Sequence, residues 1–69
     1  MKNKFSKRIK ELRAEYKLNQ WKLAELCNVQ QSCVSKWERE ETLPDIETLI
    51  VIAEAFNVST NYLLGLKDY

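Results

Sequence analysis

The sequence contains no histidine, and only one glycine and one proline among its 69 residues. Without histidine, the most common general base of enzymes is missing. With one glycine, no glycine-rich loop can cradle a phosphate. Ser32 and Ser35 therefore have no base partner other than carboxylates, and we expect neither enzyme activity nor catalytic residues.

Cysteine is also scarce: Cys27 and Cys33 lie six positions apart, and there is no third cysteine. A structural zinc site normally takes four ligands from cysteine and histidine, so we expect no metal site. A disulfide between the two is not expected in a reducing cytoplasm. We predict that Cys27 is a small core residue and that Cys33 is partly exposed. No cofactor and no small-molecule ligand is implied.

Long apolar runs are absent as well. The longest apolar runs, around Leu49–Phe56, are broken by Glu47 and Glu54 and are far too short to span a bilayer. The N-terminal sequence MKNKFSKRIKEL is charged throughout and does not resemble a signal peptide. With 45% hydrophobic residues the chain is not expected to be disordered. We expect one cytoplasmic domain over 1–69, with a core of about 5–65.

Apolar residues recur at helical spacing, which predicts an all-α domain of five helices. The first helix is predicted over Lys2–Lys17, with one apolar stripe at Phe5, Ile9, Leu12 and Tyr16 and a basic, solvated opposite face that includes Lys7, Arg8 and Lys10. The other helices are predicted from about Gln20, over about 30–39, over Ile46–Phe56 and over Thr60–Leu64.

Capping residues mark several of these helix ends. Asn19, Asp45 and Ser59 precede the second, fourth and fifth helices as N-caps, and Gly65 stops the last one. The fourth helix carries more apolar residues than one stripe needs, so we expect it to be the central core helix. These residues are Ile46, Leu49, Ile50, Ile52, Ala53 and Phe56.

The second and third helices are predicted to form a tight helix-turn-helix. Asn28 is one of the few residue types that enter the left-handed region at low cost, and Val29 can fill the angle between the helices. The third helix uses Val34 and Trp37 for the core. Its other faces present amide, hydroxyl and cationic groups that suit base edges and phosphates.

Four ordered pieces of sequence carry a resemblance to a known family. They are Leu18-x-Gln20-x-x-Leu23-Ala24, Asn28-Val29, Val34-Ser35-x-Trp37-Glu38 and Leu43-Pro44-Asp45. Together they resemble the phage repressor and Cro type of helix-turn-helix transcriptional regulator, the Cro/C1-type or xenobiotic response element family. The resemblance runs from about Phe5 to Gly65. It implies a lambda-repressor-like fold with the helix-turn-helix as helices 2 and 3, and sequence-specific binding of double-stranded DNA, with repression as the expected effect.

The resemblance also implies roles for individual residues. Arg13 and Glu38 align with an ion pair that joins the first and third helices. The residues expected to contact DNA bases are Gln30, Gln31, Ser32 and Lys36. Those expected to contact phosphates are Gln20, Trp21, Ser35 and Arg39. For Trp21 two placements remain open, against a neighbouring helix or against the sugar–phosphate backbone.

The loop after the third helix departs from the family pattern, because Glu40 and Glu41 stand where many relatives carry glycine and basic residues.

Charge is also unevenly distributed along the chain. Residues 1–39 carry ten basic and four acidic side chains, a net +6, whereas residues 40–69 carry one basic and six acidic, a net −5. Such a dipole orients the basic half toward a polyanion and predicts modest non-specific affinity.

Assembly is the last expectation. A single small domain makes few base contacts, so a homodimer on an inverted-repeat operator is expected. An apolar C-terminal end could supply the dimer contact, or Leu63 or Leu64 could instead close the core; its residues are Tyr62, Leu63, Leu64 and Leu66. The competing interpretation is a helical protein-interaction module that uses the same fold as the repressors, or an antitoxin-type regulator that binds a partner protein.

Overall fold

In the computed structural model, which describes residues 3–68, the chain forms an all-α domain. Five helices are present in this range: α1 (Phe5–Glu15), α2 (Gln20–Cys27), α3 (Gln31–Glu38), α4 (Ile46–Phe56) and α5 (Thr60–Leu64). The predicted five-helix fold is confirmed, and α2 and α3 form its helix-turn-helix. No helix in the described range is long and apolar enough to cross a membrane.

Local side-chain chemistry sets most of the helix ends. Asn19 and Asp45 each accept a hydrogen bond at 2.8 Å from the backbone N–H three residues later, and Ser59 does the same at 2.9 Å. Each bond satisfies one of the N–H groups that a helix start leaves unpaired. Gly65 ends α5 in the left-handed conformation at φ 79°, where an added Cβ would lie 2.7 Å from the Lys4 side chain.

The core lies where the apolar stripes of all five helices meet. Phe5, from α1, packs edge-on against Trp37 of α3 with ring centroids 5.9 Å apart. The buried apolar residues are Phe5, Ile9, Leu12, Leu23, Ala24, Cys27, Val34, Trp37, Ile52, Ala53, Phe56 and Leu63. Because α1 packs against α3 and α4 packs against α2, the helix-turn-helix keeps one face that no other helix covers.

Three sequence predictions need correction at the helix ends. α1 begins at Phe5 and ends at Glu15, so it is shorter than Lys2–Lys17; Lys2 lies outside the described residues. Tyr16 is its C-cap and is half exposed, although its ring packs against Phe56 with centroids 5.1 Å apart. α3 covers Gln31–Glu38, because Gln30 and Arg39 are its caps.

The fourth helix is not the central helix that its composition suggested. Ile46 is 76% exposed and Ile50 is 45% exposed, so α4 buries only one stripe. At the C-terminal end, Leu63 is fully buried and closes the core, whereas Leu66 is exposed. The alternative in which Leu63 completes the core is therefore the one observed.

Candidate nucleic-acid interface

The turn between α2 and α3 sets the angle at which the two helices meet. Asn28 adopts the left-handed conformation at φ 59°, and the Val29 N–H donates to the carbonyl of Ala24 at 3.0 Å. The Val29 side chain is half-buried and packs against the core. This is the turn predicted from these two residues, and it leaves the N-terminal end of α3 at the surface.

α3 has one buried face and one exposed face. Val34 and Trp37 are buried, whereas Ser32 and Lys36 are exposed. Ser32 and Lys36 are four residues apart and therefore lie on one side of the helix. Gln31 is half-buried at the first helical position, and Gln30 is the exposed N-cap. The structure thus brings the side chains predicted to contact bases onto one surface.

An ion pair anchors the C-terminal end of α3 to α1. Arg13 Nε donates to Glu38 Oε2 at 2.7 Å, and Arg13 Nη2 donates to Glu38 Oε1 at 3.0 Å. Arg13 Nη1 also donates to the Leu18 carbonyl at 3.1 Å. The Glu38 side chain is 6% exposed and that of Arg13 is 26% exposed. The hydrogen bond to Glu38 raises the pKa of the Arg13 guanidinium above its usual value.

Gln20 extends this pair into a network that reaches the exposed end of α3. Its Nε2 donates to Glu38 Oε1 at 3.0 Å, and its Oε1 accepts from Gln31 Nε2 at 2.7 Å. The sequence assigned Gln20 only to a phosphate. The bridge joins residues far apart in the chain, so no local spacing signalled it. One N–H of the Gln20 amide remains for such a contact, because an amide nitrogen has two.

The hydrogen bond that Gln31 donates to Gln20 fixes the orientation of the Gln31 amide. Since Gln31 Nε2 donates one of its two N–H groups to Gln20, its second N–H and its Oε1 remain for another partner. One donor and one acceptor, side by side, are what the N7 and N6 positions of adenine require in the major groove. The network therefore presents Gln31 in a form that suits adenine.

Arg39 and Ser35, both predicted to contact phosphates, are hydrogen-bonded to each other, and Arg39 also pairs with Glu41 in the following loop. Arg39 Nε donates to Glu41 Oε2 at 2.8 Å and Nη2 to Glu41 Oε1 at 3.2 Å. Arg39 Nη1 donates to Ser35 Oγ. Glu41 therefore occupies the Nε and Nη2 edge of the guanidinium, and an anion that binds along this edge must displace it. This role of Glu41 was not recognised from the sequence.

Trp21 lies at the surface beside the start of α3. It is 70% exposed, which excludes the placement against a neighbouring helix. Its ring lines an open groove of about 730 Å³ between α2 and α3, together with Ala24, Val29, Gln31 and Ser32. An exposed aromatic ring next to the polar face of α3 is available to a macromolecule that docks there.

The basic face of α1 is not uniformly solvated. Lys7 and Lys10 are exposed, as expected, but Arg8 is only 9% exposed. Its guanidinium stacks 4.2 Å from the centre of the Tyr62 ring, and Nη2 lies 3.7 Å from the Asp68 carboxylate. The predicted exposure of Arg8 is therefore wrong, because the fold returns the C-terminal segment to α1, a contact that sequence spacing does not reveal.

The sequence also matches a known family. A family model described as helix-turn-helix matches residues 9–63, which is most of the chain. The chain belongs to the helix-turn-helix family. The resemblance to phage repressors is confirmed.

Relatives of this helix-turn-helix domain include named regulators. It is 42% identical over 62 residues to the transcriptional regulator ImmR of Bacillus subtilis, across 90% of this chain and 48% of that protein. It is 37% identical over 57 residues to repressor protein C2 of Salmonella phage P22, across 83% of this chain and 26% of that protein. The chain thus spans about half or less of the length of these two curated relatives.

Solved structures agree with the fold. A transcriptional regulator from Listeria innocua superposes with a TM-score of 0.87 and 37% identity, covering 94% of this chain and 61% of that one. The P22 c2 repressor, crystallised in complex with a synthetic operator, superposes with a TM-score of 0.83 and 35% identity, covering 87% of this chain and 91% of that one.

The cysteines of this helix-turn-helix domain are free thiols. Cys27 is buried in the core, and burial raises its pKa to about 11, so the thiol stays protonated at neutral pH. Cys33 is half-buried. Within residues 3–68, no group of three or more metal-ligating side chains is close enough to hold an ion.

Proposed function

We propose that this chain binds double-stranded DNA sequence-specifically as the DNA-binding part of a transcriptional repressor, with α3 in the major groove. The observation that carries the proposal is the network from Arg13 through Glu38 and Gln20 to Gln31. It holds a polar helix face at the surface with a donor and an acceptor presented together. A network that orients one amide at the surface suits recognition of base edges.

The proposed contacts follow from where each side chain lies. The residues assigned to base edges lie at the start and along one side of α3, and they are Gln30, Gln31, Ser32 and Lys36. The residues assigned to phosphates flank that surface, and they are Gln20, Trp21, Ser35 and Arg39.

Two of the relatives support regulation by repression. Repressor protein C2 of phage P22 and the immunity repressor protein of Bacillus phage phi105 carry that activity in their names. Because such a regulator acts where bacterial DNA lies, we place the protein in the cytoplasm.

We further propose that the protein binds as a homodimer to an inverted-repeat operator. A single α3 of eight residues reaches few base pairs. Two copies related by a two-fold axis would read half-sites about one helical turn, ~34 Å, apart. The stoichiometry of the complex, measured by analytical ultracentrifugation on a selected duplex, tests this part separately from DNA binding itself.

Selection of bound sequences from a random duplex pool is the experiment that tests the proposal. Enrichment of a motif, with a mobility shift that survives moderate salt on that motif and fades on random duplex, is the expected result. Absence of any duplex binding at low salt would favour the protein-interaction alternative instead.

Lys36 and Lys10 provide a matched pair for the docking face. Both are exposed lysines, but Lys36 lies on α3 and Lys10 on α1. Lys36→Ala should weaken binding. If Lys36 meets a phosphate, it should also flatten the slope of log affinity against log salt by about one unit. If Lys36 reads guanine, the loss should concentrate at one base pair. Lys10→Ala should change little, since exposed charges far from DNA are screened.

Salt titrations of both variants on specific and random duplexes supply the measurement. A larger loss of affinity from Lys10→Ala than from Lys36→Ala would mean that DNA does not dock on the face formed by α3.

Trp21 should be covered when DNA binds. Because Trp21 is 70% exposed and Trp37 is 4% exposed, acrylamide should quench mainly Trp21 in the free protein. Saturating selected duplex should reduce that quenching, because the ring would lie against the sugar–phosphate backbone. In Trp21→Phe, which retains Trp37 alone, duplex should leave the already weak quenching nearly unchanged. Equal acrylamide quenching of the parent with and without duplex would exclude Trp21 from the interface.

A further inference from the structure

The recognition surface of α3 carries two cationic side chains, Lys36 and Arg39, and the loop residue Glu41 follows both in the chain. Arg39 is the C-cap of α3, and Glu41 engages it with two hydrogen bonds of 2.8 and 3.2 Å. The hydrogen bond from Arg39 lowers the pKa of the Glu41 carboxyl below its usual value, and the charges of Arg39 and Lys36 add to this effect. Glu38, the acidic residue within α3, is paired with Arg13. Glu41 is therefore the anion that offsets the positive charge of this surface.

The paired N–H groups with which Arg39 could bind an anion are already bound to the Glu41 carboxylate. A guanidinium binds a carboxylate or a phosphate through the same pair of parallel N–H groups. Here the Nε and Nη2 edge holds Glu41, while Nη1 donates to Ser35 Oγ. A DNA phosphate that reaches Arg39 along this edge must take the place of the Glu41 carboxylate.

The backbone holds Glu41 in this place. The Glu41 N–H donates to the Lys36 carbonyl at 2.9 Å, and Glu40 before it adopts the left-handed conformation at φ 62°. The loop thus turns back onto the end of α3. Both side chains of the pair remain about half exposed, 54% for Arg39 and 51% for Glu41. An exposed ion pair of this kind is weak, so an anion from solution can replace the Glu41 carboxylate.

We propose that Glu41 is an intramolecular competitor for DNA phosphate at Arg39, which lowers the affinity of the domain for duplex DNA. The inference rests on the proposed function, because it requires that DNA dock on α3. The physical consequence is a binding surface whose cation is partly neutralised in the free state. Less counterion release accompanies binding, so the affinity for random duplex is held down.

Glu41→Gln tests the competitor, because it removes the charge and keeps the size of the side chain. We expect affinity for random duplex to rise about two- to fivefold at low salt, as an exposed pair allows. The slope of log affinity against log salt should steepen by about one unit, since one more phosphate is neutralised. Fluorescence anisotropy with a labelled random duplex measures both quantities.

Two comparisons separate competition from a simple change of net charge. Glu40→Gln removes the same charge one residue away and should give a smaller gain. In an Arg39→Ala background, Glu41→Gln should give no more than the small gain of Glu40→Gln, because no guanidinium remains to be released. An equal gain from Glu40→Gln, or a full gain without Arg39, would overturn the inference.

The failure of this inference is distinguishable from the failure of the proposed function. If the parent binds a selected motif but Glu41→Gln leaves both affinity and salt slope unchanged, the competitor role is wrong and DNA binding stands. If the parent binds no duplex at any salt, the proposed function itself fails.

Discussion

Replacing Glu38 with alanine is expected to lower the free energy of unfolding by about 3–5 kcal/mol, toward the lower figure because Arg13 is partly hydrated. The Glu38 carboxylate is 6% exposed and accepts hydrogen bonds from Arg13 Nε, Arg13 Nη2 and Gln20 Nε2. Its removal leaves a guanidinium partly buried without its counter-charge, and it releases the Gln20 amide.

Thermal and urea unfolding, followed by the fluorescence of buried Trp37, measure this effect. In a domain of this size each kcal/mol corresponds to about 4–8 °C in Tm, so Glu38→Ala should melt at least about 12 °C below the parent. Glu25→Ala is the matched control. Its pair with Lys22 is exposed, 60% and 72%, and should contribute about 0–1 kcal/mol. Similar Tm losses in the two variants would show that Glu38 contributes no more than a surface pair.

The parts of the fold that were predicted correctly depend on contacts between neighbours in sequence. Asn19, Asp45 and Ser59 cap helices because each side chain reaches the N–H three residues later, wherever the helix lies in the fold. Asn28 and Gly65 take the left-handed conformation for equally local reasons. The bounds of α4 and α5 were therefore predictable from the residues alone.

Apart from the ends of α1 and α3, the errors lie where the answer depends on how helices pack. α4 has more apolar residues than one buried stripe holds, and only packing decides that Ile46 and Ile50 remain outside. Arg8 is covered because Tyr62 and Asp68 return to α1. No spacing in the sequence identifies the contacts of Arg8, because Tyr62 and Asp68 are more than fifty positions away from it in the chain.

The candidate site shows the same division. The exposed position of Ser32 and Lys36 follows from helical periodicity, and the Arg13 and Glu38 pair came from the family resemblance. The bridge through Gln20 to Gln31 was not predicted, because a glutamine at the start of a helix is equally consistent with a phosphate contact. That bridge matters because it decides which atoms of Gln31 remain free.

Replacing Gln31 with alanine should remove the preference for one base pair of the selected motif. The Gln31 amide keeps one N–H and its Oε1 free while donating to Gln20, which matches adenine N7 and N6. The expected loss on the selected duplex is about 1–3 kcal/mol, or about five- to 150-fold in Kd. On random duplex the loss should be small, because phosphate contacts persist.

Repeating the selection with Gln31→Ala measures this change at every position at once, and a melting curve shows whether the fold is intact. Stability should be nearly unchanged, since Gln31 is a half-buried surface residue with no place in the core cluster. Gln20→Ala is the informative companion. It keeps the Gln31 amide but removes the bond that orients it, so the preference should weaken at the same base pair without disappearing. A selected motif identical in the parent and Gln31→Ala would mean that this amide reads no base. A preference lost at different positions in the two variants would mean that Gln20 acts on DNA independently of Gln31.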